Sequence, residues 1–389
     1  MLSLIKNVYV YAPEDLGRKD ILLAGGKICA VEDSISFETD VDFELIDGSD
    51  FIALPGFIDQ HVHLIGGGGE NGYSSRTPEV MFSEIIKYGI TTVIGLLGTD
   101  GTSRHMESLY AKAKGLEEEG ITTYIYSGSY ELPLVTLTGS LKRDILLNEK
   151  VIGAGEIAIS DHRSSAPTIE EITRLATESR VAGMLSRKAG VVHLHVGDGK
   201  DKLDMINEIV EKSDIPIYHF RPTHVNRNRA LLEEAIKFAK KGGFIDITSS
   251  TGSPRRTPGE FTPAQGVKHC LDSGVDINHV TMSSDGNGSM PAFDSHGNIV
   301  GLTAASLESL YTEFKCLVKE EGVPVSDAVK TISTNIADSL KLFGKGHIKA
   351  GFDADLSLLD SNLEIFHVFA KGKKVIGNKE VLVKGVFEK

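Results

Sequence analysis

Two histidines separated by one residue, in the segment Asp59-Gln-His61-Val-His63, give the strongest chemical signal in the sequence. Side chains two apart on a strand point to the same face, so both imidazoles can reach one point at the end of that strand. Imidazole nitrogens are common ligands of zinc and related transition metals. A His-x-His pair alone can also be two polar residues on an exposed loop, so its interpretation depends on the rest of the chain.

Further ligand-type residues lie at or near the ends of later predicted strands. Glu156 lies in the fourth strand, His195 ends the fifth and His224 follows the sixth. Asp285 ends the eighth, although within Ser-Ser-Asp-Gly-Asn-Gly it could be a turn aspartate. Together with the His-x-His pair, these residues could hold two ions bridged by a carboxylate and a hydroxide. Such a pair lowers the pKa of the bridging water and polarises a carbonyl.

Two other histidines compete for these positions. His193 and His195 form a second His-x-His pair, and only the context favours His195. His219 could take the place of His224. The remaining histidines are predicted to be structural or exposed: His105, His162, His269, His279, His296, His347 and His367.

Two glycine-rich segments are not predicted to bind phosphate. The segment 153–158, Gly-Ala-Gly-Glu-Ile-Ala, satisfies the dinucleotide pattern, but no helix opens at its third position and Pro167 delays the next helix. The four glycines at 66–69 lack the Gly-Lys-Ser/Thr of a phosphate loop. They predict a mobile loop or a close approach of the backbone.

The elements that position these residues alternate between short β-branched runs and helical periods. The predicted strands are 57–61, 91–96, 122–127, 151–158, 191–195, 215–219, 244–248 and 280–284, and the predicted helices include 78–88, 103–118, 169–188, 202–212, 229–240 and 302–320. Eight such units predict a (β/α)8 TIM barrel, whose sites lie at the carboxyl ends of the strands. A doubly wound sheet is the alternative.

Both ends of the chain predict short strands separated by turns. Neither end buries much alone, and chain termini often lie close together. We therefore expect a small β-sandwich domain from 1–55 plus 345–389, with the barrel spanning 56–344.

The composition of the chain excludes some classes of binding partner and of structural site. The 389 residues carry a net charge of −13, which argues against nucleic acid or an anionic membrane as the main partner. The three cysteines are far apart and form no Cys-x-x-Cys pair, so neither a disulfide framework nor a zinc ribbon is expected. With no apolar run long enough to span a membrane and no leader cleavage site, the sequence predicts a soluble cytoplasmic protein.

Longer blocks of sequence carry a resemblance to a known family. PGFIDQHVH near the start and GHIKAGFDADLSLLD near the end resemble the amidohydrolase superfamily of metal-dependent hydrolases. GFIDQHVHLIGGGGENG, AISDHRSSAP, RPTHVNRN and SSDGNGS are similar, more narrowly, to the isoaspartyl dipeptidases, and this resemblance runs nearly end to end.

The resemblance implies a ligand set. His61 and His63 would bind the buried metal with Asp285, while His195 and His224 would bind the second. Asp285 would also take the proton from the bridging hydroxide and return it to the leaving amine.

The resemblance also implies substrate contacts. Glu70 would bind the free α-ammonium group, and Arg163 and Arg227 would bind the carboxylates. Thr99 and Ser289 would add hydrogen bonds, and Tyr130 would hydrogen-bond the developing oxyanion. Simple chemistry agrees, because an isoaspartyl dipeptide carries one amine and two carboxylates around its β-linked amide and so needs one acidic and two basic contacts.

One position departs from the family pattern. The usual bridging ligand is a lysine carboxylated by carbon dioxide, and Glu156 stands in its place. We expect two Zn²⁺ ions per chain bridged directly by this shorter carboxylate, with the glycines at 153 and 155 permitting a closer strand. A weakened or single-metal site is the alternative.

The leading hypothesis is a zinc-dependent dipeptidase that hydrolyses β-aspartyl bonds. Another amidohydrolase acting on cyclic amides or N-acyl amino acids is the nearer alternative, and a non-catalytic barrel scaffold or binding protein is the more distant one. The resemblance further implies a large homo-oligomer, up to an octamer, built through the small β domain.

Overall fold

The structure is a computed structural model that describes residues 2–36, 40–251, 261–293 and 299–389. The strands are β1 (Leu2–Tyr11), β2 (Asp15–Ala24), β3 (Lys27–Glu32), β4 (Glu44–Asp47), β5 (Ile52–Pro55), β6 (Phe57–Val62), β7 (Ile90–Gly95), β8 (Thr122–Ser127), β9 (Val151–Ile159), β10 (Val191–Val196), β11 (Phe220–Thr223), β12 (Ile245–Thr248), β13 (Val280–Ser283), β14 (Ser289–Phe293), β15 (Ile299–Ala304), β16 (Leu356–Leu359), β17 (Ile365–Ala370), β18 (Lys373–Gly377) and β19 (Glu380–Val381). The α-helices are α1 (Phe82–Ile86), α2 (Met106–Glu119), α3 (Leu141–Leu147), α4 (Ile169–Ser186), α5 (Asp204–Lys212), α6 (Arg229–Lys240), α7 (Pro263–Asp272), α8 (Glu308–Lys319), α9 (Val325–Thr331) and α10 (Thr334–Ser339).

Strands from both chain ends join in one sheet. Its order is β19-β18-β17-β16-β5-β1-β2-β3, with β4 paired to β1, and β16 connects the carboxyl-terminal strands to β5 in antiparallel register. The two ends share a hydrophobic core in which Ile5 and Ile21 contact the same cluster as Leu358 and Phe369. The expected small β domain from both termini is confirmed, while its boundaries at 55 and 345 stay a prediction.

Eight parallel strands, β6 to β13, form the barrel in the described part of the chain. β6 to β11 make one continuous parallel sheet and β12 pairs with β13. A parallel bridge between Val62 and Gly286 connects the first strand to the end of the last, and Val225 donates a backbone hydrogen bond to Asp246 between β11 and β12. The (β/α)8 prediction is therefore confirmed against the doubly wound alternative.

The apolar residues of these strands explain why they lie inside. β6, β7, β9 and β10 are buried at every position, as expected for parallel strands covered by helices. The helix α4 begins with a capping box between Thr168 and Glu171. No helix in the described ranges is both long and apolar enough to cross a membrane.

The predicted sixth strand is wrong, because the observed strand begins only after residue 219. Instead of 215–219, the strand is β11, and Ile217–His219 forms a 3-10 turn that begins after Pro216. Pro222 lies inside β11, and a proline within a run argues against a strand because it cannot donate to the ladder. The shift brings the end of the strand directly before His224.

The predicted helix at 302–320 is wrong at its start. Residues up to Ala304 belong to β15, which pairs with β14 in an antiparallel hairpin, and the helix α8 begins at Glu308. The prediction extended a helical period through three residues whose backbone pairs with β14. The helix α7 was missed, although a capping box of Thr262 and Gln265 with Pro263 in the first turn marks its start.

Candidate active site

The carboxyl ends of five barrel strands bring the predicted metal ligands to one place. His61 lies in β6 and His63 directly follows it, while Glu156 lies in β9 and His195 in β10. The last two, His224 and Asp285, follow β11 and β13. Because parallel strands in a barrel end at the same mouth, residues far apart in sequence become neighbours.

The carboxylate of Glu156 lies between two pairs of histidines. Its Oε1 atom lies 3.4 Å from Nε2 of His61 and 3.7 Å from Nε2 of His63. Its Oε2 atom lies 3.2 Å from Nδ1 of His195 and 3.6 Å from Nε2 of His224. The two oxygens thus face different ligand pairs, which is the arrangement that a bridging carboxylate needs.

Asp285 completes the first of these groups. Its Oδ1 atom lies 3.1 Å from Nε2 of His63 and 3.4 Å from Nε2 of His61. Both Asp285 and His224 have left-handed backbones, with φ of 54° and 60°. Such a backbone is uncommon for residues other than glycine and often occurs at functional sites.

Hydrogen bonds outside the cluster orient the imidazoles. Nδ1 of His61 lies 2.8 Å from Nε2 of His193, and Nδ1 of His224 lies 2.7 Å from the hydroxyl of Thr248. In both rings the second nitrogen is left facing the Glu156 carboxylate. Partners of this kind fix ring orientation and tautomer in metal sites.

The two competing histidines lie in other surroundings. The His193 ring stacks on Tyr126 at 4.9 Å with an interplanar angle of 8°, behind His61. His219 lies in the 3-10 turn before β11, where its Nδ1 atom is 3.1 Å from the carbonyl oxygen of Gly190. In the part of the chain that the structure describes, two groups of possible metal ligands are found, His61 with His63 and Asp285, and His61 with Glu156 and His224. His193 and His219 lie outside both groups, as does His195, whose link to the cluster is its 3.2 Å contact with Glu156.

The cluster fits a metal ion. Nε2 of His61 and Oε1 of Glu156 are buried and have no hydrogen-bond partner. An unpaired buried polar atom is costly, and imidazole with carboxylate is a donor set that suits zinc and related ions. His61 and Glu156 are fully buried, so ions held here would be shielded from bulk water on one side.

Burial and neighbouring charges shift the pKa values of the residues in this cluster. Burial by itself raises the pKa of Glu156, but the facing His61 and the hydrogen bonds from the imidazoles hold it well below the usual range. Burial lowers the pKa of His61, yet Glu156 and Asp285 raise it well above its ordinary value. Burial lowers the pKa of His224 to about 3. The carboxylates are therefore ionised, and a bound cation would take the place of the proton on His61.

A cleft opens directly above the ligands. Its cavity volume is about 190 Å³. All six residues predicted to contact substrate line it: Glu70, Thr99, Tyr130, Arg163, Arg227 and Ser289. Oε1 of Glu70 accepts a hydrogen bond from Thr99 at 2.9 Å and lies 3.4 Å from Nη1 of Arg163. The cleft therefore presents one acidic and two basic groups beside the ligand cluster.

Tyr130 reaches the ligand cluster from the loop after β8. Its hydroxyl lies 2.7 Å from Nδ1 of His195, and the guanidinium of Arg163 lies over its ring at 5.3 Å. Burial and then the charge of Glu156 raise the pKa of Tyr130 well above its ordinary value. The hydroxyl therefore keeps its proton at neutral pH and can donate a hydrogen bond.

The glycine-rich segments have backbone roles. Gly68 has a φ of 73°, and a Cβ atom there would lie 2.5 Å from the carbonyl oxygen of Ser75, so the loop at 66–69 packs closely on the chain that follows it. A Cβ at Gly155 would lie 2.8 Å from Cβ of His193, so the glycine lets β9 approach β10. The dinucleotide-like segment lies entirely inside β9.

Several site residues were missed by sequence reasoning. Asp161 accepts hydrogen bonds from Arg163 and lies 2.9 Å from Nε2 of His195. Its position two residues before Arg163, in Ser-Asp-His-Arg, was a usable signal, since a carboxylate so placed can pair with the arginine. Thr251 and Met290 line the cleft, and their residue types carry no signal of their own.

Several known proteins are similar to this chain in sequence or in fold. The model of the amidohydrolase family matches residues 263–385. A dihydroorotase from Listeria monocytogenes is 25% identical over 96% of this chain and 93% of its own. The fold of dihydropyrimidinase from Brevibacillus agri is similar with a TM-score of 0.68 over 99% of this chain and 97% of the other, at 17% identity.

A crystal structure of beta-aspartyl dipeptidase from Fervidobacterium islandicum, in complex with the dipeptide beta-Asp-Leu, has a TM-score of 0.89 to this structure. The two sequences are 45% identical, and the match covers 98% of each chain. The resemblance found in the sequence is thereby confirmed. This chain belongs to the beta-aspartyl dipeptidase family of the amidohydrolase superfamily.

Proposed function

We propose that this amidohydrolase cleaves the β-aspartyl bond of isoaspartyl dipeptides. The observation that carries the proposal is the set of charges around the cleft. Glu70 can bind an ammonium group, and Arg163 and Arg227 can bind two carboxylates, all beside the cluster of His and carboxylate ligands. The relative from Fervidobacterium islandicum was crystallised with beta-Asp-Leu, which has this set of groups.

The metal centre is proposed to hold two zinc ions. His61, His63 and Asp285 would hold one, and His195 and His224 would hold the other. Glu156 would bridge them, in place of a carboxylated lysine, since its two oxygens face the two histidine pairs. When bound, the ions would supply a nucleophilic water of lowered pKa and would polarise the scissile carbonyl.

Side chains of this protein would manage the charges of the reaction. Burial raises the pKa of the Asp285 carboxyl, but His61 and His63 hold it well below the usual range, so it is ionised. As a carboxylate beside the ligand cluster, it would take the proton that the attacking water loses. Asp285 would then deliver that proton to the departing amine. The Tyr130 hydroxyl, which keeps its proton, would donate a hydrogen bond to the oxyanion that develops on the amide carbonyl.

Binding and orientation fall to the cleft residues. Glu70 would fix the free amine of the substrate, while the arginine forks would fix its carboxylates. Thr99 and Ser289 would add hydrogen bonds. A substrate bound at both ends places its β-linked amide over the ligand cluster, which supplies the proximity that a hydrolysis needs. We expect the reaction to take place in the cytoplasm, in a homo-oligomer.

The nearest alternative is hydrolysis of a cyclic amide, as in the dihydroorotase from Listeria monocytogenes that is similar at 25% identity. Cyclic amides and N-acyl amino acids lack the free amine that Glu70 would bind. Glu70→Gln should therefore leave such activities nearly unchanged and should severely reduce cleavage of a β-aspartyl dipeptide.

The test measures amine release from β-Asp-Leu and from α-Asp-Leu, before and after metal removal. Cleavage of the β-linked peptide alone, lost with a chelator and restored by zinc without bicarbonate, would support the substrate and the Glu156 bridge together. A marked bicarbonate requirement would falsify the direct bridge. No cleavage by protein loaded with two zinc ions would overturn the proposed substrate.

A further inference from the structure

Asp161 lies between a predicted metal ligand and a predicted substrate contact. It follows β9 by two residues, and its side chain is only 3% exposed. Its Oδ2 atom accepts a hydrogen bond from Nη2 of Arg163 at 2.8 Å and lies 2.9 Å from Nε2 of His195. One carboxylate oxygen therefore contacts both groups.

The other oxygen of Asp161 completes a two-point contact with the guanidinium group. Oδ1 accepts from Nε of Arg163 at 3.0 Å and from the backbone N–H of the same residue at 2.8 Å. This fork geometry is the strong form of the arginine–carboxylate pair. It leaves Nη1 on the side of Glu70, 3.4 Å from Oε1. Asp161 thus determines which edge of Arg163 faces the cleft.

The same carboxylate also determines which nitrogen of the His195 ring carries the hydrogen. Nε2 of His195 lies 3.1 Å from Nη2 of Arg163 and 3.2 Å from Nη2 of Arg227. Guanidinium groups only donate hydrogen bonds, so the two arginines favour a ring that carries its lone pair on Nε2. A carboxylate at 2.9 Å favours the opposite tautomer, in which Nε2 carries the hydrogen and donates it.

The tautomer matters because Nδ1 is the atom that faces the metal cluster. Nδ1 of His195 lies 3.2 Å from Oε2 of Glu156. Only a ring with its hydrogen on Nε2 offers a lone pair there. Carboxylate–histidine pairs that orient a metal ligand are a general feature of such sites, and loss of the outer partner typically lowers metal affinity about 10-fold to 100-fold.

We propose that Asp161 is a positioning residue whose single carboxylate fixes His195 as an Nδ1 metal ligand and holds Arg163 for the substrate carboxylate. For the roles of the metal and of Arg163, the inference rests on the proposed function. Removal of this one charge should therefore weaken the binding of the second metal ion and the binding of the substrate together.

Asp161→Asn tests both halves at once. The amide has no charge and only one acceptor oxygen. With that oxygen toward His195, Nε and the backbone N–H of Arg163 lose their acceptor, and with it toward Nε, the His195 ring loses its acceptor. We expect the dissociation constant of one zinc ion to rise about 10-fold to 100-fold, with the other ion unchanged, and the KM for β-Asp-Leu to rise as well. Zinc affinity is measured on the full chain without substrate, by competition with a chromophoric chelator.

Three further variants separate positioning from general damage. Arg163→Met should raise KM and keep both zinc affinities, because His195 retains its carboxylate partner. Asp161→Glu retains the charge and should recover part of both losses, and it carries the test if Asp161→Asn does not fold. Asp198→Asn alters an exposed aspartate on the next loop of the barrel and should change neither property.

The outcomes distinguish this inference from the proposed function. Wild-type zinc affinity in Asp161→Asn would overturn the inference even if β-Asp-Leu is cleaved normally. If Arg163→Met lowers the zinc affinity as much as Asp161→Asn does, the inference is also overturned, because the effect would then come from the arginine. If wild-type protein binds two ions but cleaves no dipeptide, the proposed function fails, and the difference in zinc affinity alone decides the role of Asp161.

Discussion

The Oε2 atom of Glu156 lies 3.2 Å from Nδ1 of His195, across the pairing of β9 with β10. The opposite oxygen of the same carboxylate faces His61 at 3.4 Å. Gly155 makes this reach possible for a short side chain, since any Cβ at that position would lie 2.8 Å from Cβ of His193. We propose that this close approach of β9 to β10 lets Glu156 take the place of a longer bridging ligand.

Glu156→Gln should remove the bridge with little change in volume. The amide replaces one charged oxygen with a donor that faces an imidazole. We expect fewer than two zinc ions per chain and a loss of kcat of at least about 100-fold. Metal content by elemental analysis and amine release check this. Glu131→Gln, at an exposed position beside Tyr130, is the matched control. Two tightly bound ions in Glu156→Gln would contradict the bridge.

Glu70→Gln should weaken the binding of the substrate amine. The variant retains the size of the side chain and a hydrogen-bond acceptor for Thr99, but it loses the charge that attracts an ammonium group. We expect kcat/KM for β-Asp-Leu to fall about 100-fold, as for a lost charge-assisted hydrogen bond, with the zinc content unchanged. An N-acetylated β-Asp-Leu should be insensitive to the substitution. Equal sensitivity of both substrates would argue against the contact.

Tyr130→Phe should affect the chemical step more than binding. Removal of one oxyanion donor typically lowers kcat about 100-fold to 1,000-fold, and KM should change little because the arginines still bind the substrate. Steady-state kinetics of amine release separate the two constants. Tyr73→Phe, at a side chain that is 89% exposed, should leave both unchanged. A Tyr130→Phe variant that changes only KM would assign the hydroxyl to ground-state binding.

Acid should destabilise the fold in part through His219. Burial lowers its pKa to about 4 from an ordinary 6.5, with further lowering by Arg180, Arg221 and Lys341, and the Gly190 carbonyl opposes the shift. Between these values the unfolded chain binds a proton that the folded chain does not, so stability is full above about pH 6.5 and falls as the pH drops through about 4.

His219→Gln should make that decrease shallower, since glutamine retains an N–H donor for Gly190 and does not titrate. The free energy of unfolding from denaturant titrations at several pH values measures the slope. His162→Gln, at a side chain that is 85% exposed, is the control. Parallel curves for the His219→Gln variant and wild type would show that His219 makes no contribution.

Asp144 should be important for the loop that carries Tyr130. Its buried carboxylate accepts from Ser127 at 2.6 Å, from the backbone of Leu137 at 2.8 Å, and from the backbone and hydroxyl of Thr138 at 2.9 and 2.6 Å. Asp144→Asn leaves at least one donor unpaired, so the free energy of unfolding should fall by about 1–3 kcal/mol. Asp214→Asn, at an exposed position, should change it little.

Local sequence was sufficient for most of the elements. Short runs rich in β-branched residues predicted the strands at 122–127 and 191–195, and both are almost wholly buried, as expected for parallel strands covered on both faces. The local sequence was misleading at β11, where Pro222 argues against a strand, and at β15, where the backbone pairs with β14 despite a helical period in the sequence. Such pairing depends on residues elsewhere in the chain, so no local pattern can reveal it.

The sequence by itself determined which residue types were present for chemistry and, through the order of the strands, that His61, Glu156 and His195 would meet at one mouth. Only the tertiary structure decided which atoms face inward. His193 and His195 share a face of β10, yet Nε2 of the first lies against His61 while Nδ1 of the second lies against Glu156. The tilt of each ring is set by partners from other strands and loops, such as Asp161, and these contacts exist only once the barrel has closed.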